Sequence, residues 1–350
     1  MKSKISQLKT SFKSAKIDAF LVTNDTNIRY LTGHQASDSF LLVTSKVTYY
    51  ITDSRYTLEV QSALKDVEII DHKGKLYESV VELLAVAKAK KIGYDANHFT
   101  LRAFRQFEFK CPKNIKLVES NGLVEKNRLI KTKDEIDEIK RALNLHKKCL
   151  QYLKRTVKPG QTECEILIRL EQYVRKLGAG FSFDPIIASG PNSAYPHAKV
   201  TRRRIRKNDG LLLDFGIEVN GYKSDLTRMF YFGKIPNLFR EVHAYVAKAQ
   251  KKAIDFIKPG VKVSELDNQA RKYLAEHNLD KYFGHALGHG VGLDIHESPR
   301  LSQASPEVLQ AGMVITIEPG VYLPGQFGVR LEEMVLVTEK GSQVLSDNIN

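Results

Sequence analysis

No stretch of this 350-residue sequence approaches the roughly 18 consecutive apolar residues that a membrane-spanning helix needs. The N-terminal segment MKSKISQLKTSFKSAKIDAF lacks the continuous apolar core of a secretory signal and reads as an amphipathic surface helix. Cysteine is scarce: Cys111, Cys149 and Cys164 are odd in number, widely spaced and form no CxxC pair. They read as buried or free thiols in a reducing compartment, not as a disulfide framework. These absences together point to the cytoplasm. The chain is long enough for two domains and a substantial core. Its 42% hydrophobic and 27% charged residues match an ordinary soluble protein.

The net charge of +14 raises the question of nucleic acid or anionic membranes. Most lysines, however, lie beside glutamates, as in KTKDEIDEIKRALNLHKK, the pattern of a solvated helix face. One dense basic run, Arg202, Arg203, Arg204, Arg206 and Lys207, has no interleaved aromatic residues. It reads as a solvated loop entering the next strand, and a nucleic-acid partner is disfavoured.

The first ~125 residues alternate short β-rich runs (DAFLVT, SFLLVTS, VTYYITD) with helical spacing in SVVELLAVAKAK. This predicts an α/β domain, and no constellation of His, Cys, Asp and Glu in it resembles a site. With a boundary between 126 and 127, residues 1–126 form the first domain and 127–350 the second. Thr132 with Glu135 makes a capping box, after which Ile136, Ile139, Leu143, Leu150 and Leu153 mark a long amphipathic helix. The second domain contains a faint duplication: Lys158-Pro159-Gly160 recurs as Lys258-Pro259-Gly260, and Glu165, Tyr173 and Phe183 recur in the same register as Glu265, Tyr273 and Phe283. Two such halves pack about a pseudo-twofold axis with their strands around a shared site.

LLLDFGIEVNGYKSDLTRMFYF holds two β-rich runs separated by Asn220-Gly221, a strong two-residue hairpin signal. With those residues in the turn, Asp225 faces Gly216, which shares a strand face with Asp214. Both carboxylates then project from one side, roughly 5–8 Å apart. Asp214 lies in an apolar run, where an unpaired buried carboxylate costs several kcal/mol. A cation offsets that cost; the alternative is a buried pair with an arginine such as Arg228. MVITIEPGVYLPGQFGVRLEEMVLV supplies a similar pair, Glu318 at the end of one apolar strand and Glu332 within another. Between them FGHALGHGVGLDIHE carries His285, His289 and His296 among glycines that let backbone approach a ligand. Oxygen ligands with an imidazole suit Mn²⁺, Co²⁺, Fe²⁺ or Zn²⁺. Four carboxylates exceed the need of one ion, whereas two ions about 3.5 Å apart use them and activate a bridging water.

These motifs, LLLDFG, SDLTR, GHGVGLDIHE, IEPGVY and GVRLEE, with NDTNIRYLTGH and TDSRY near the N-terminus, resemble the pita-bread metallopeptidases, specifically the aminopeptidase P and prolidase branch. The resemblance runs nearly end to end. It implies an α+β protein: an N-terminal, creatinase-N-like α/β domain followed by a pseudo-twofold pita-bread catalytic domain. It implies that Asp214 chelates one metal, that His289 and Glu318 hold the other, and that Asp225 and Glu332 bridge them. Manganese is the first choice of ion. Glu318 also handles the proton of the attacking water, while His296 and His197 act near the scissile bond. His285 lines the substrate pocket, Arg300 resembles a residue that holds a dipeptide's carboxylate, and Arg330 belongs to the substrate side while supporting the site. The basic stretch TRRRIRKNDG departs from the family's usual approach to its first Asp strand. The resemblance implies a homodimer that cleaves after the first residue of a peptide with proline second. Aminopeptidase action on longer peptides is favoured over the Xaa-Pro dipeptidase (prolidase) alternative. The reading from another class is a non-catalytic pita-bread binding scaffold.

Overall fold

The β-rich runs of the N-terminal region become the strands Ala19–Val22, Phe40–Thr44 and Thr48–Thr52, neighbours in antiparallel register. The structure, a computed structural model, describes residues 3–35 and 37–349. Its chain separates into two units, Met1–Arg128 and Leu129–Asn350. In the first unit the three strands are extended in parallel by Glu68–Asp71 on one edge, and by Lys91–Tyr94 and Lys116–Glu119 on the other. Every residue of Ala19–Val22 and of Thr48–Thr52 is buried, which is why these runs are not cleanly alternating. Helix Leu76–Val86 packs Val80 and Leu84 against the sheet's core. The N-terminal segment forms the short helices Lys4–Thr10 and Phe12–Ala15, burying Leu8 and Phe12. All three cysteines are free. Among the described residues, no helix is long and apolar enough to cross a membrane.

The duplication in the second unit is structural. Helix Lys133–Thr156 turns at Gly160 into helix Glu163–Lys176, and helix Asn237–Phe256 turns at Gly260 into helix Val263–Ala275. Both glycines sit at positive φ, +93° and +87°, where a side chain is strained. The turns are held alike: Gly160 N–H donates to Ile205 O, and Gly260 N–H to Leu309 O. Capping boxes at Thr132/Glu135 and Thr162/Glu165 close the two helices of the first pair, each cap contributing about 1 kcal/mol. Each helix pair covers strands of matching order. The first half has Ile186–Ser189, Gly210–Phe215 and Leu226–Tyr231, with Gly210–Phe215 central. The second has Gly288–Gly290, Val314–Ile317 and Glu333–Val337, with Val314–Ile317 central, and adds outer strands on both sides.

The Asn220-Gly221 turn adopts φ of +49° and +80°, the left-handed pair of a type I′ hairpin. Glu218 pairs with Lys223, Leu226 with Phe215, and Thr227 with Asp214, the register that the turn predicts. Gly216 lies where the hairpin leaves the sheet, and a Cβ there would stand 2.0 Å from Ser224 O. Gly216→Ala should therefore destabilise the protein by about 1–3 kcal/mol. Gly284→Ala, with nothing within 4 Å of its added Cβ, should change stability little. Thermal midpoints measured on both variants check this; equal midpoints would contradict the packing at Gly216.

Candidate metal centre

Four acids occupy equivalent places in the two halves. Asp214 is the penultimate residue of Gly210–Phe215, and Glu318 follows Val314–Ile317. Asp225 directly precedes Leu226–Tyr231, and Glu332 directly precedes Glu333–Val337. Glu332 thus lies just outside the strand in which the sequence pattern put it. Thr227 is opposite Asp214, so Asp225, two residues earlier, faces the same side. Across the pseudo-symmetric interface Glu332 N–H donates to Thr227 O, bringing the second pair beside the first. Asp225, His289 and Glu332 each offer a ligand atom, all within 4.8 Å of one another. His289 Nε2 is 3.5 Å from Asp225 Oδ2 and 3.4 Å from Glu318 Oε1.

This arrangement is expensive without a cation. Asp214, Asp225 and Glu332 are 7%, 5% and 2% exposed, and each keeps one buried oxygen, Oδ1, Oδ1 and Oε1, with no hydrogen-bond donor. Burial, then repulsion from Asp214 and Glu318, raises the Asp225 carboxyl well above its usual value. Burial and then Asp225 do the same to Glu332, and burial first raises Glu318. His289 Nδ1 lies 3.0 Å from Gly290 O and donates to it, which leaves the Nε2 lone pair facing two carboxylates. Lone pair against carboxylate is repulsive, and a divalent cation reverses its sign. The residues present therefore fit a metal.

Arg330 organises the opposite wall. It pairs with Asp214 Oδ2, and donates to Tyr322 Oη at 2.7 Å, Pro196 O at 3.1 Å and Thr227 Oγ1 at 3.0 Å. The Thr227 hydroxyl in turn donates to Glu332 Oε2. The arginine that meets Asp214 is thus Arg330; Arg228 instead holds Glu333 and the carbonyls of Glu332 and Ile349. Tyr322, its oxygen engaged by Arg330, donates to His285 Nε2 at 2.9 Å. Burial, followed by Arg330, lowers His285 to about 4, so its imidazole is neutral. Thr227 and Tyr322 were not singled out from sequence; their signals were proximity to Asp225 in SDLTR and to Glu318 in EPGVY.

All four metal-side acids, Asp214, Asp225, Glu318 and Glu332, open on one cavity of about 1260 Å³. His197, His285, His296, Arg300 and Arg330 line it as well. His296 stands 4.4 Å from His289, ring to ring and edge-on, and desolvation followed by the His289 imidazole lowers its pKa. Arg300 pairs with His289 across adjacent strands, so both side chains leave the same face. The basic run is only partly solvated: Arg203 pairs with Asp209 at 2.7 Å, and Arg204 donates to Gly160 O. The N-terminal unit does gather one acid–histidine cluster that sequence reading passed over, Asp95, His98 and Glu125. Asp95 accepts from Asn97 N–H and Gly122 N–H, and His98 Nε2 meets Glu125 at 2.8 Å, so this cluster is satisfied internally.

Residues 137–339 match the family described as Metallopeptidase family M24, and residues 4–130 match the Creatinase/Prolidase N-terminal domain. A Xaa-Pro dipeptidase from Bacillus anthracis has 35% sequence identity and a TM-score of 0.95, with 99% of this chain and 97% of that one covered. The X-Pro aminopeptidase from Thermotoga maritima has 34% identity and a TM-score of 0.90, covering 96% and 97%. The Xaa-Pro dipeptidase of Pyrococcus furiosus is 34% identical over 350 residues, 99% of this chain and 98% of its own. This chain belongs to metallopeptidase family M24, with a creatinase-type N-terminal domain and a pita-bread domain. It is a metallo-exopeptidase, which sets the non-catalytic scaffold aside.

The raised carboxyl values give the metal-free protein a definite pH response. Asp225, Glu318 and Glu332 hold protons in the fold that the unfolded chain has already released, so their contribution is present below about pH 4 and lost as pH rises through the raised values. The chelator-treated protein should lose thermal stability over that window, while the divalent-loaded protein should not. Asp225→Asn should flatten the chelated profile, because it removes one of the repelling charges. Scanning calorimetry across the range checks this, and a chelated profile parallel to the loaded one would contradict the cluster's electrostatics.

Proposed function

We propose that this chain is a two-metal Xaa-Pro dipeptidase, with Asp214 on one ion, His289 and Glu318 on the other, and Asp225 and Glu332 between them. The observation that carries this is the set of three buried carboxylate oxygens without donors, facing a histidine whose free lone pair points at the same spot. Divalent ions held there, Mn²⁺ first and Co²⁺, Fe²⁺ or Zn²⁺ as alternatives, supply Lewis acidity and an acidified water at neutral pH. The remaining chemistry belongs to side chains. Glu318, which lines the cavity beside His289, accepts the proton of the attacking water and passes it to the leaving prolyl nitrogen. His296 donates a hydrogen bond to the developing oxyanion, a contribution on the order of 10²–10³ in rate. His197 faces the scissile bond from the other wall, and neutral His285 closes the prolyl pocket. Arg330, its donors already engaged by Asp214, Tyr322, Pro196 and Thr227, acts by holding that wall.

Dipeptides are preferred here to the longer peptides that the sequence alone favoured. Two considerations support the change: relatives of nearly full coverage are named Xaa-Pro dipeptidases, and Arg300 lines the cavity on the His289 face with no side-chain partner among the described residues. A free guanidinium there suits the carboxylate of a C-terminal proline. The family resemblance adds a homodimer, and the three free cysteines add a reducing compartment such as the cytoplasm, as the working state. Assays of Ala-Pro beside Ala-Pro-Ala on the metal-loaded protein test the choice. The dipeptide should be cleaved with the higher kcat/KM, and Arg300→Gln should lose about 10-fold or more on Ala-Pro alone. Faster cleavage of the tripeptide would return the aminopeptidase reading.

A further inference from the structure

Glu163 is fully buried at the start of helix Glu163–Lys176, and among the described residues its side-chain hydrogen bonds go to Ser189, Asn192 and Thr201, not to a metal-side residue. Its two oxygens accept five hydrogen bonds from these three residues. Oε1 accepts from Ser189 N–H at 2.7 Å and from the Ser189 hydroxyl at 2.8 Å. Oε2 accepts from Asn192 Nδ2 at 2.9 Å, Thr201 N–H at 3.0 Å and the Thr201 hydroxyl at 2.6 Å. Ser189 and Thr201 are the two ends of one loop, so a single carboxylate ties its neck. The Ser189 hydroxyl also accepts from Arg203, which pairs with Asp209; the basic run therefore buttresses the same knot. Further along the loop Ser193 holds Gly328 N–H, and Pro196 O is held by Arg330. The residue after Pro196 is His197, exposed on the cavity.

The geometry points to Glu163 as the positioning residue for His197. It sets where the loop begins and ends, while Arg330 holds the loop's tip against the Asp214 wall. This rests on the reading of His197 as a substrate-facing group. Glu163→Gln keeps the size but replaces one acceptor oxygen with an NH₂ group. In either orientation that group meets N–H donors, at Ser189 or at Asn192 and Thr201, so one end of the neck must let go. The mutation leaves every metal-side acid and His289 in place.

The test is a double-mutant cycle on the loaded enzyme with Ala-Pro, using Glu163→Gln, His197→Ala and the pair. Glu163→Gln should keep its divalent ions and lose on the order of 10²-fold in kcat, the scale of an ångström-sized misplacement. In the His197→Ala background it should cost almost nothing more. A multiplicative loss in the pair, or loss of metal from Glu163→Gln, overturns the proposal. Thr201→Val, which removes one of the five donors, should show a smaller loss with the same non-additivity if Glu163→Gln folds poorly. Amide hydrogen exchange over residues 189–201 decides independently: faster exchange is expected in Glu163→Gln, and unchanged protection overturns it. Full turnover by His197→Ala would instead sink the substrate-facing reading, leaving the exchange result to judge the knot itself.

Discussion

Like charges gathered in a dry place are the constraint around which the catalytic unit is arranged. Asp214, Asp225 and Glu332 each bury an oxygen that no protein donor reaches, and Glu318 stands close enough to add to their repulsion. A fold does not assemble such a cluster for stability, since the desolvation cost exceeds anything the neighbouring Arg330 returns. The cluster makes sense as a cation site whose cost is offset on loading. Everything near it serves to hold it in place. Gly290 O fixes the His289 tautomer, Thr316 accepts from His289 N–H and donates to Glu318, and Thr227 relays Arg330 to Glu332.

Duplication explains how one chain builds this from ordinary parts. Each half contributes one acid at the end of its central strand and another just before the adjacent strand. Each half also carries a helix pair joined by a positive-φ glycine, bound to a later loop through the same N–H to carbonyl contact. The halves differ where chemistry must be asymmetric. The first sends out the loop bearing His197, tied by Glu163. The second sends out the stretch bearing His285, whose carbonyl is held by Arg271, itself paired with the fully buried Asp267. His197 and His285 are thus carried by irregular backbone, and each of these two segments is pinned to a helix that carries a buried acid, Glu163 or Asp267.

Much of this was legible in sequence because it follows from period and turn chemistry. Asn220-Gly221 fixed the hairpin register, and register alone put Asp214 and Asp225 on one face. The glycine-rich segment marked His285, His289 and His296 as candidates, and all three line the cavity. What stayed hidden were contacts made by long side chains between distant strands. Strand alternation puts Arg228 on the face opposite Asp225 and Thr227, but it does not say that Arg330, from a distant strand, reaches Asp214 while Arg228 turns to Glu333 and Ile349. Glu332 was placed in a strand because apolar residues follow it, whereas the strand begins one residue later, at Glu333. Asp95, His98 and Glu125 are separated by up to thirty positions and carry no shared spacing, so their clustering had no local signal. Glu163 carries no local signal beyond that of an acid in a helix's first turn, because its contacts come from a loop folded back onto it.

The central claim is that the four carboxylates and His289 together hold two cations. Elemental analysis of the protein after saturation with Mn²⁺ and removal of free ion tests it most directly, with anomalous scattering in crystals to locate each site. Two ions per chain are predicted, both within reach of Asp225 and Glu332. Saturation at a single ion, with Glu332 turned away from it, would contradict the account.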